Sequence, residues 1–278
     1  MVTFSGNGVV PVCPKLQSIN LSHGKVSFRS VGAGDSIVFL HGLLGSSKSW
    51  AFQFEYFSRK YRVIAWDAPG FGQSEMVSVS IDAYLEALRE FIAKLDQPKV
   101  FLVGHSMGGT VAARFCAEYP AMVSRLVLSC SHPGYGDPET APMSKKFENR
   151  MRELKEFGAR AYGMNRAKEL LPGQKTAPVF EYAAEVASEV NPEGLRRATR
   201  MLQLADNRPH LPKLEMPVLV LFGEMDTVVQ PKLKSDLLKQ TPITKHVEMP
   251  GLLHAPYFQA PDYYNRLIDV FLSERQHC

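Results

Sequence analysis

Serine, carboxylate and imidazole are the three groups that acyl transfer needs in sequence, and this chain offers one of each beside a predicted strand end. The serine is Ser106, inside Gly104-His105-Ser106-Met107-Gly108, between an apolar run (Val100 to Val103) and a helix-like run (Thr110 to Tyr119). A G-x-S-x-G pattern between strand and helix holds its serine on a sharp turn as a nucleophile. The flanking glycines let strand and helix approach, and the strained turn lifts the hydroxyl clear of the sheet.

Such a serine requires a base, a carboxylate to orient it, and amide donors for the oxyanion. Behind this elbow the expected order is serine, acid, histidine. Glu224-Met225-Asp226 follows the apolar run Pro217 to Gly223, and Gly251-Leu252-Leu253-His254 follows Lys245 to Met249. Asp226 is preferred to Glu224, which adjoins the strand's terminal glycine. His254 is preferred to His246 within a strand, His277 in the tail, His23 in an early turn and His105 beside the serine. The amides of Leu43, after His41-Gly42, and of Met107 are the oxyanion candidates, with His41 and Gly42 expected beside the substrate.

These groups have to be carried by strands ending at one edge. Eight runs read as strands: Gln17 to Leu21, Lys25 to Val31, Ser36 to Leu40, Arg62 to Asp67, Lys99 to Gly104, Arg125 to Ser129, Pro217 to Gly223 and Lys245 to Met249. They alternate with helical segments such as Ile81 to Leu95, which predicts an α/β fold: a mostly parallel eight-stranded sheet with helices on both faces. After Pro133 the strand signal stops for some seventy residues. Helices such as Ser144 to Gly158 and Pro192 to Ala205, broken by Pro172-Gly173, Pro178 and Pro192, predict an all-helical lid over the crevice. The expected organisation is a core of residues 1–134 and 211–278 with a lid of residues 135–210.

Composition narrows the classes. At 45% hydrophobic and 22% charged residues the chain is globular, and no apolar run is long enough to span a bilayer. A formal charge of +4 is too small to argue for nucleic acid. Met1 to Cys13 lacks the pattern of a secretory signal, and Cys13, Cys116, Cys130 and Cys278 show no metal-ligand spacing. Reduced thiols, a cytoplasmic setting and no metal or other cofactor are expected. The charge is unevenly spread: Ala141 to His210 holds 13 Lys+Arg against 9 Asp+Glu, leaving 19 against 19 elsewhere.

Taken together, His41-Gly42 with Trp50, Asp67-Ala68-Pro69-Gly70-Phe71-Gly72-Gln73-Ser74, Gly104 to Gly109, Gly223 to Asp226 and Gly251 to His254 resemble the α/β-hydrolase superfamily from about Gly24 onward. The resemblance implies a Ser106–Asp226–His254 triad, an oxyanion hole at Leu43 and Met107, and a structural turn at Asp67. The stretch Asn191 to Asp226 is similar to the small-molecule catabolic branch of 3-oxoadipate enol-lactonases and ring-cleavage-product hydrolases. That branch implies a small, carboxylate-bearing ester, lactone or amide, or alternatively carbon–carbon hydrolysis of a vinylogous diketo acid. A ligand-binding receptor on the same fold is the non-enzymatic alternative. Among the lid arginines, Arg150, Arg166 and Arg197 are the candidates to hold a substrate carboxylate.

Overall fold

The computed structural model describes residues 9–97, 99–173 and 177–274; His277 and Cys278 lie outside them. The strands are β1 (Leu16–Leu21), β2 (Gly24–Val31), β3 (Ser36–Leu40), β4 (Arg62–Trp66), β5 (Val100–His105), β6 (Val123–Ser129), β7 (Val218–Gly223) and β8 (Lys245–Met249). They form one sheet in the order β1-β2-β4-β3-β5-β6-β7-β8. β1 and β2 pair antiparallel, as do β2 and β4, and the remaining pairs are parallel.

The central strands are buried on both sides, which is why β3 and β7 read as continuous apolar runs. Their side chains alternate between two cores. Val38, Leu40, Leu102, Leu126 and Val220 join one cluster, together with α2 (Ile81–Ala93), α3 (Met107–Glu118) and α7 (Pro231–Gln240). Ile37, Phe39, Val103, Val127 and Leu221 join the other, with α1 (Ala51–Phe57), α8 (Pro256–Gln259) and α9 (Pro261–Ser273). The period of two in the strands thus becomes one helical layer on each face.

Between β6 and β7 the described residues contain no strand; they form α4 (Lys145–Leu170), α5 (Pro178–Ser188) and α6 (Pro192–Leu204). α4 is kinked at Gly158, whose φ of 80° and ψ of 169° leave the helical region. Pro178 and Pro192 open helices, each supplying a first-turn position that needs no N–H partner. α5 buries Val179, Phe180, Ala183 and Ala184 in one core, and α6 buries Ala198, Met201 and Leu202 in the other. The insertion is therefore seated on both layers. No helix among the described residues is long and apolar enough to cross a membrane.

Candidate active site

Ser106 sits between β5 and α3 with φ 52° and ψ −116°, one of few non-glycine residues at positive φ. Four hydrogen bonds hold that conformation: the Ser106 amide donates to the Ser129 carbonyl at 2.9 Å, and its own carbonyl accepts from Gly109, Thr110 and the Ser131 hydroxyl. Strain of this kind, on the order of 1–3 kcal/mol, persists only when the surroundings over-determine it. Close approach explains the glycines, since a Cβ on Gly108 would lie 2.2 Å from the Leu40 carbonyl oxygen.

The loop after β7 brings the Asp226 carboxylate to His254, with Nδ1 to Oδ2 at 2.9 Å. On the other side of the ring, Nε2 is 3.1 Å from the Ser106 hydroxyl. With Nδ1–H donating to the carboxylate, Nε2 is left to accept the serine proton. Burial pushes the Asp226 carboxyl up, but the hydrogen bond and charge of His254 and the amides of Val228 and Val229 outweigh it, leaving the group below its ordinary value. Glu224 is exposed and accepts the Gly251 amide instead, tying the two loops together.

The amides of Leu43 and Met107 have no hydrogen-bond partner among the described residues. Met107 opens α3, so its N–H lies at the positive end of the helix dipole. Gly42 brings the other loop in: a Cβ there would be 3.1 Å from Ser106 Cβ. Leu43, Gly42, Ser106 and His254 line one cleft, which with its open mouth encloses about 760 Å³.

His41 does not line that cleft. Its Nδ1 faces the Gly42 carbonyl at 2.8 Å and its Nε2 accepts the Ala68 amide at 3.0 Å, so both ring nitrogens are consumed in shaping the loop before Leu43. The expectation of a substrate contact at His41 is corrected to a backbone-bracing role. Asp67 is likewise structural, accepting from the Ser47 amide and the Ser27 hydroxyl.

Of the three arginine candidates, only Arg150 lines the cleft. It is buried, 3.3 Å from Glu169. Arg166 stands behind it, paired with Glu153 and Glu169 at 3.0 Å each and stacked over Tyr162. Arg197 points away to Glu193 and the Val77 carbonyl. Both depart from expectation for the same reason: acidic neighbours on the insertion neutralise them before they reach the cavity.

Lys146, His132 and Tyr135 are among the lining residues that sequence reasoning missed. Lys146 precedes Arg150 by one helical turn, an i, i+4 spacing that could have revealed a shared face. It has no ion-pair partner among the described residues, and burial together with Arg150 lowers its ammonium from the ordinary lysine value. His132 and Tyr135 follow β6 at the sheet edge that carries Ser106, Asp226 and His254, which was the available signal. Cys130 lies near the same carboxylate: its ligand atom and those of Asp226 and His254 fall within 4.8 Å. Burial and Asp226 push its thiol well up, and it donates to the Leu253 carbonyl at 3.9 Å. A neutral thiol beside a carboxylate and imidazole bonded to each other suits proton transfer better than metal ligation.

A family model described as alpha/beta hydrolase fold matches residues 35–261. Curated relatives include pimeloyl-[acyl-carrier protein] methyl ester esterases of Vibrio vulnificus (strain CMCP6), 28% identical over 251 residues covering 85% of this chain and 94% of that protein, and of Legionella pneumophila (strain Corby), 27% identical over 245 residues covering 87% and 97%. Among solved structures, the enol-lactonase from Burkholderia xenovorans LB400 superposes with a TM-score of 0.82 at 21% identity, covering 93% of this chain and all of that one. The last likeness is one of fold. A model matched over most of the length, on a sheet of this order, means that the chain belongs to the α/β-hydrolase family.

Proposed function

We propose that this protein is a serine hydrolase of a small carboxylic ester, with Ser106 as nucleophile, His254 as general base and Asp226 as its orienting carboxylate. The observation that carries the reading is the line of hydrogen bonds from Asp226 through His254 to Ser106, in a cleft that Leu43 also lines, with the amides of Leu43 and Met107 unpartnered among the described residues. His254 takes the Ser106 proton as the hydroxyl attacks the ester carbonyl, and the amides receive the oxyanion. The imidazolium then protonates the departing alcohol. A water deprotonated by His254 attacks the acyl-enzyme and releases the acid. The names of the curated relatives, methyl ester esterases, support an ester bond rather than a carbon–carbon bond.

The substrate carries a carboxylate. Support comes from the wall that residues 135–210 contribute: Arg150 is partly neutralised by Glu169, while Lys146 lines the same cleft with no ion-pair partner among the described residues. These residues act as a lid on a core of residues 1–134 and 211–278. Fluorophosphonate labelling tests the nucleophile: wild type reacts and Ser106→Ala does not, and equal labelling of both defeats the reading. A panel pairing monoesters of short dicarboxylic acids with their neutral diesters tests the substrate class. A preference for the diesters removes the carboxylate.

A further inference from the structure

Two histidines near the sheet edge are more than nine-tenths buried and held by backbone groups, but they are held differently. His41 has both ring nitrogens in backbone hydrogen bonds. His132 uses only one: its Nδ1 accepts the Gly134 amide at 3.1 Å, and Nε2 has no hydrogen-bond partner among the described residues although the ring lines the cleft with Ser106 and His254. A neutral imidazole whose Nδ1 is an acceptor carries its proton on Nε2. Burial and the charge of His254 push His132 down to about 4, so at neutral pH it is an uncharged donor.

The loop holding it is braced. The Thr110 hydroxyl donates to the His132 carbonyl at 2.8 Å, the Asn207 amide to the Pro133 carbonyl at 2.7 Å, and the ring packs on Tyr135 with centroids 5.0 Å apart. His132 Nε2 is not among the fully enclosed unpartnered atoms of the described residues and opens on the cleft, so a ligand oxygen that takes over this donor is favoured over an isostere that displaces its solvent and offers no acceptor. Cations elsewhere in the wall suit a carboxylate, whereas a neutral N–H suits an uncharged oxygen.

We propose that His132 is a specificity-determining residue that donates through Nε2 to a second, uncharged oxygen of the substrate, a ketone or ether oxygen beyond the scissile carbonyl. The proposal rests on the ester-hydrolase reading of the same cleft.

Paired esters test it. Ethyl 4-oxopentanoate against ethyl pentanoate probes the acyl side, and 2-oxopropyl butanoate against butyl butanoate probes the alcohol side. In wild type at least one keto ester is preferred. His132→Leu lowers the ratio of kcat/KM for that ester to kcat/KM for its plain counterpart by about 10- to 100-fold, and His132→Gln recovers part of the preference. Should leucine prevent folding, His132→Asn, too short to carry a donor to the same point, gives the same loss of selectivity. Equal losses on both members of a pair, or no preference in wild type on either side, overturn the assignment. Fluorophosphonate labelling separates the two readings: failure at Ser106 in wild type defeats the hydrolase reading, while normal labelling with unchanged selectivity in the variants defeats the role of His132 alone.

Discussion

Gly42→Ala is the most direct probe of the proposed oxyanion donors, because the loop before the Leu43 amide must give way to the new methyl while Ser106, Asp226 and His254 all remain unsubstituted. The added Cβ would lie 3.1 Å from Ser106 Cβ and 3.2 Å from His105 Cδ2, so the contact must open by a few tenths of an ångström. Gly42 is not at positive φ, so alanine suits its backbone and the strain is steric. An oxyanion donor works over a window of about 2.7–3.1 Å, and losing one entirely costs roughly 3 kcal/mol. A displacement comparable to that window should remove about half of the contribution, a fall in kcat of about tenfold, with about a hundredfold if the amide swings away. KM should change little, since the donor acts mainly as charge develops. Overpacking costs stability too, about 1–3 kcal/mol. Ser80→Ala is the control: it removes the cap of α2 by losing the bond from the Ala83 amide, away from the cleft, at a cost of about 1 kcal/mol. Steady-state kinetics and thermal unfolding on both variants decide the matter. If Gly42→Ala keeps wild-type kcat, or if Ser80→Ala loses kcat equally, Leu43 is not an oxyanion donor.

Three further outcomes follow from the same geometry. The Asp226 carboxyl lies below its ordinary value in the fold, so it stabilises the protein above its unfolded pKa of about 3.9, and that contribution is lost as pH falls through the folded value; urea titrations should show Asp226→Asn less stable than wild type at neutral pH, with the gap closing in acid, and a pH-independent gap refutes the linkage. Lys146→Met should lower the preference for a carboxylate ester over its neutral diester by roughly tenfold, as expected for loss of a partly screened charge pair. Because burial and Arg150 lower the ammonium, that preference in wild type should fade at a pH below the usual lysine value of about 10.4; constancy to that pH contradicts it. Gly108→Ala should abolish folding, since its Cβ would meet the Leu40 carbonyl at 2.2 Å with only backbone to yield; a native-like melting curve defeats the close-packing argument.

All eight strands could be read from the sequence because parallel strands covered on both faces are short continuous apolar runs between turn residues. β3 and β8 keep the predicted bounds, and the other strands differ at an end by one or two residues. β6 starts at Val123 rather than Arg125, and β7 starts at Val218, after Pro217, which lacks an N–H for the ladder. The insertion was harder. Pro178 and Pro192 look like breaks in a sequence but are helix starts, so α5 was hidden between them. The kink at Gly158 ends any single helical wheel over α4, so the facing of Arg166 could not be extrapolated from that of Arg150. Nor does a count of arginines reveal which acidic neighbour captures each one, as Glu193 captures Arg197 and Glu153 captures Arg166.

The histidines show where the limit lies. Proximity to a strand end identified His254 and would have identified His132, because the strands carry whatever follows them to the same edge. It also suggested His41, which the fold uses otherwise. The difference between these residues is the fate of two ring nitrogens. His41 meets a carbonyl one residue on and an amide 27 residues away, and nothing remains for a ligand. His254 meets a carboxylate and a hydroxyl, both brought from other loops. His132 meets one amide, leaving one donor toward the cleft. Which partners arrive depends on loops packed from distant parts of the chain, so the edge position of a histidine can be read locally while its function cannot. A buried imidazole at such an edge becomes informative only when its nitrogens are accounted for one by one, and by that accounting His132 is left with an N–H that opens on the cleft and has no partner among the described residues.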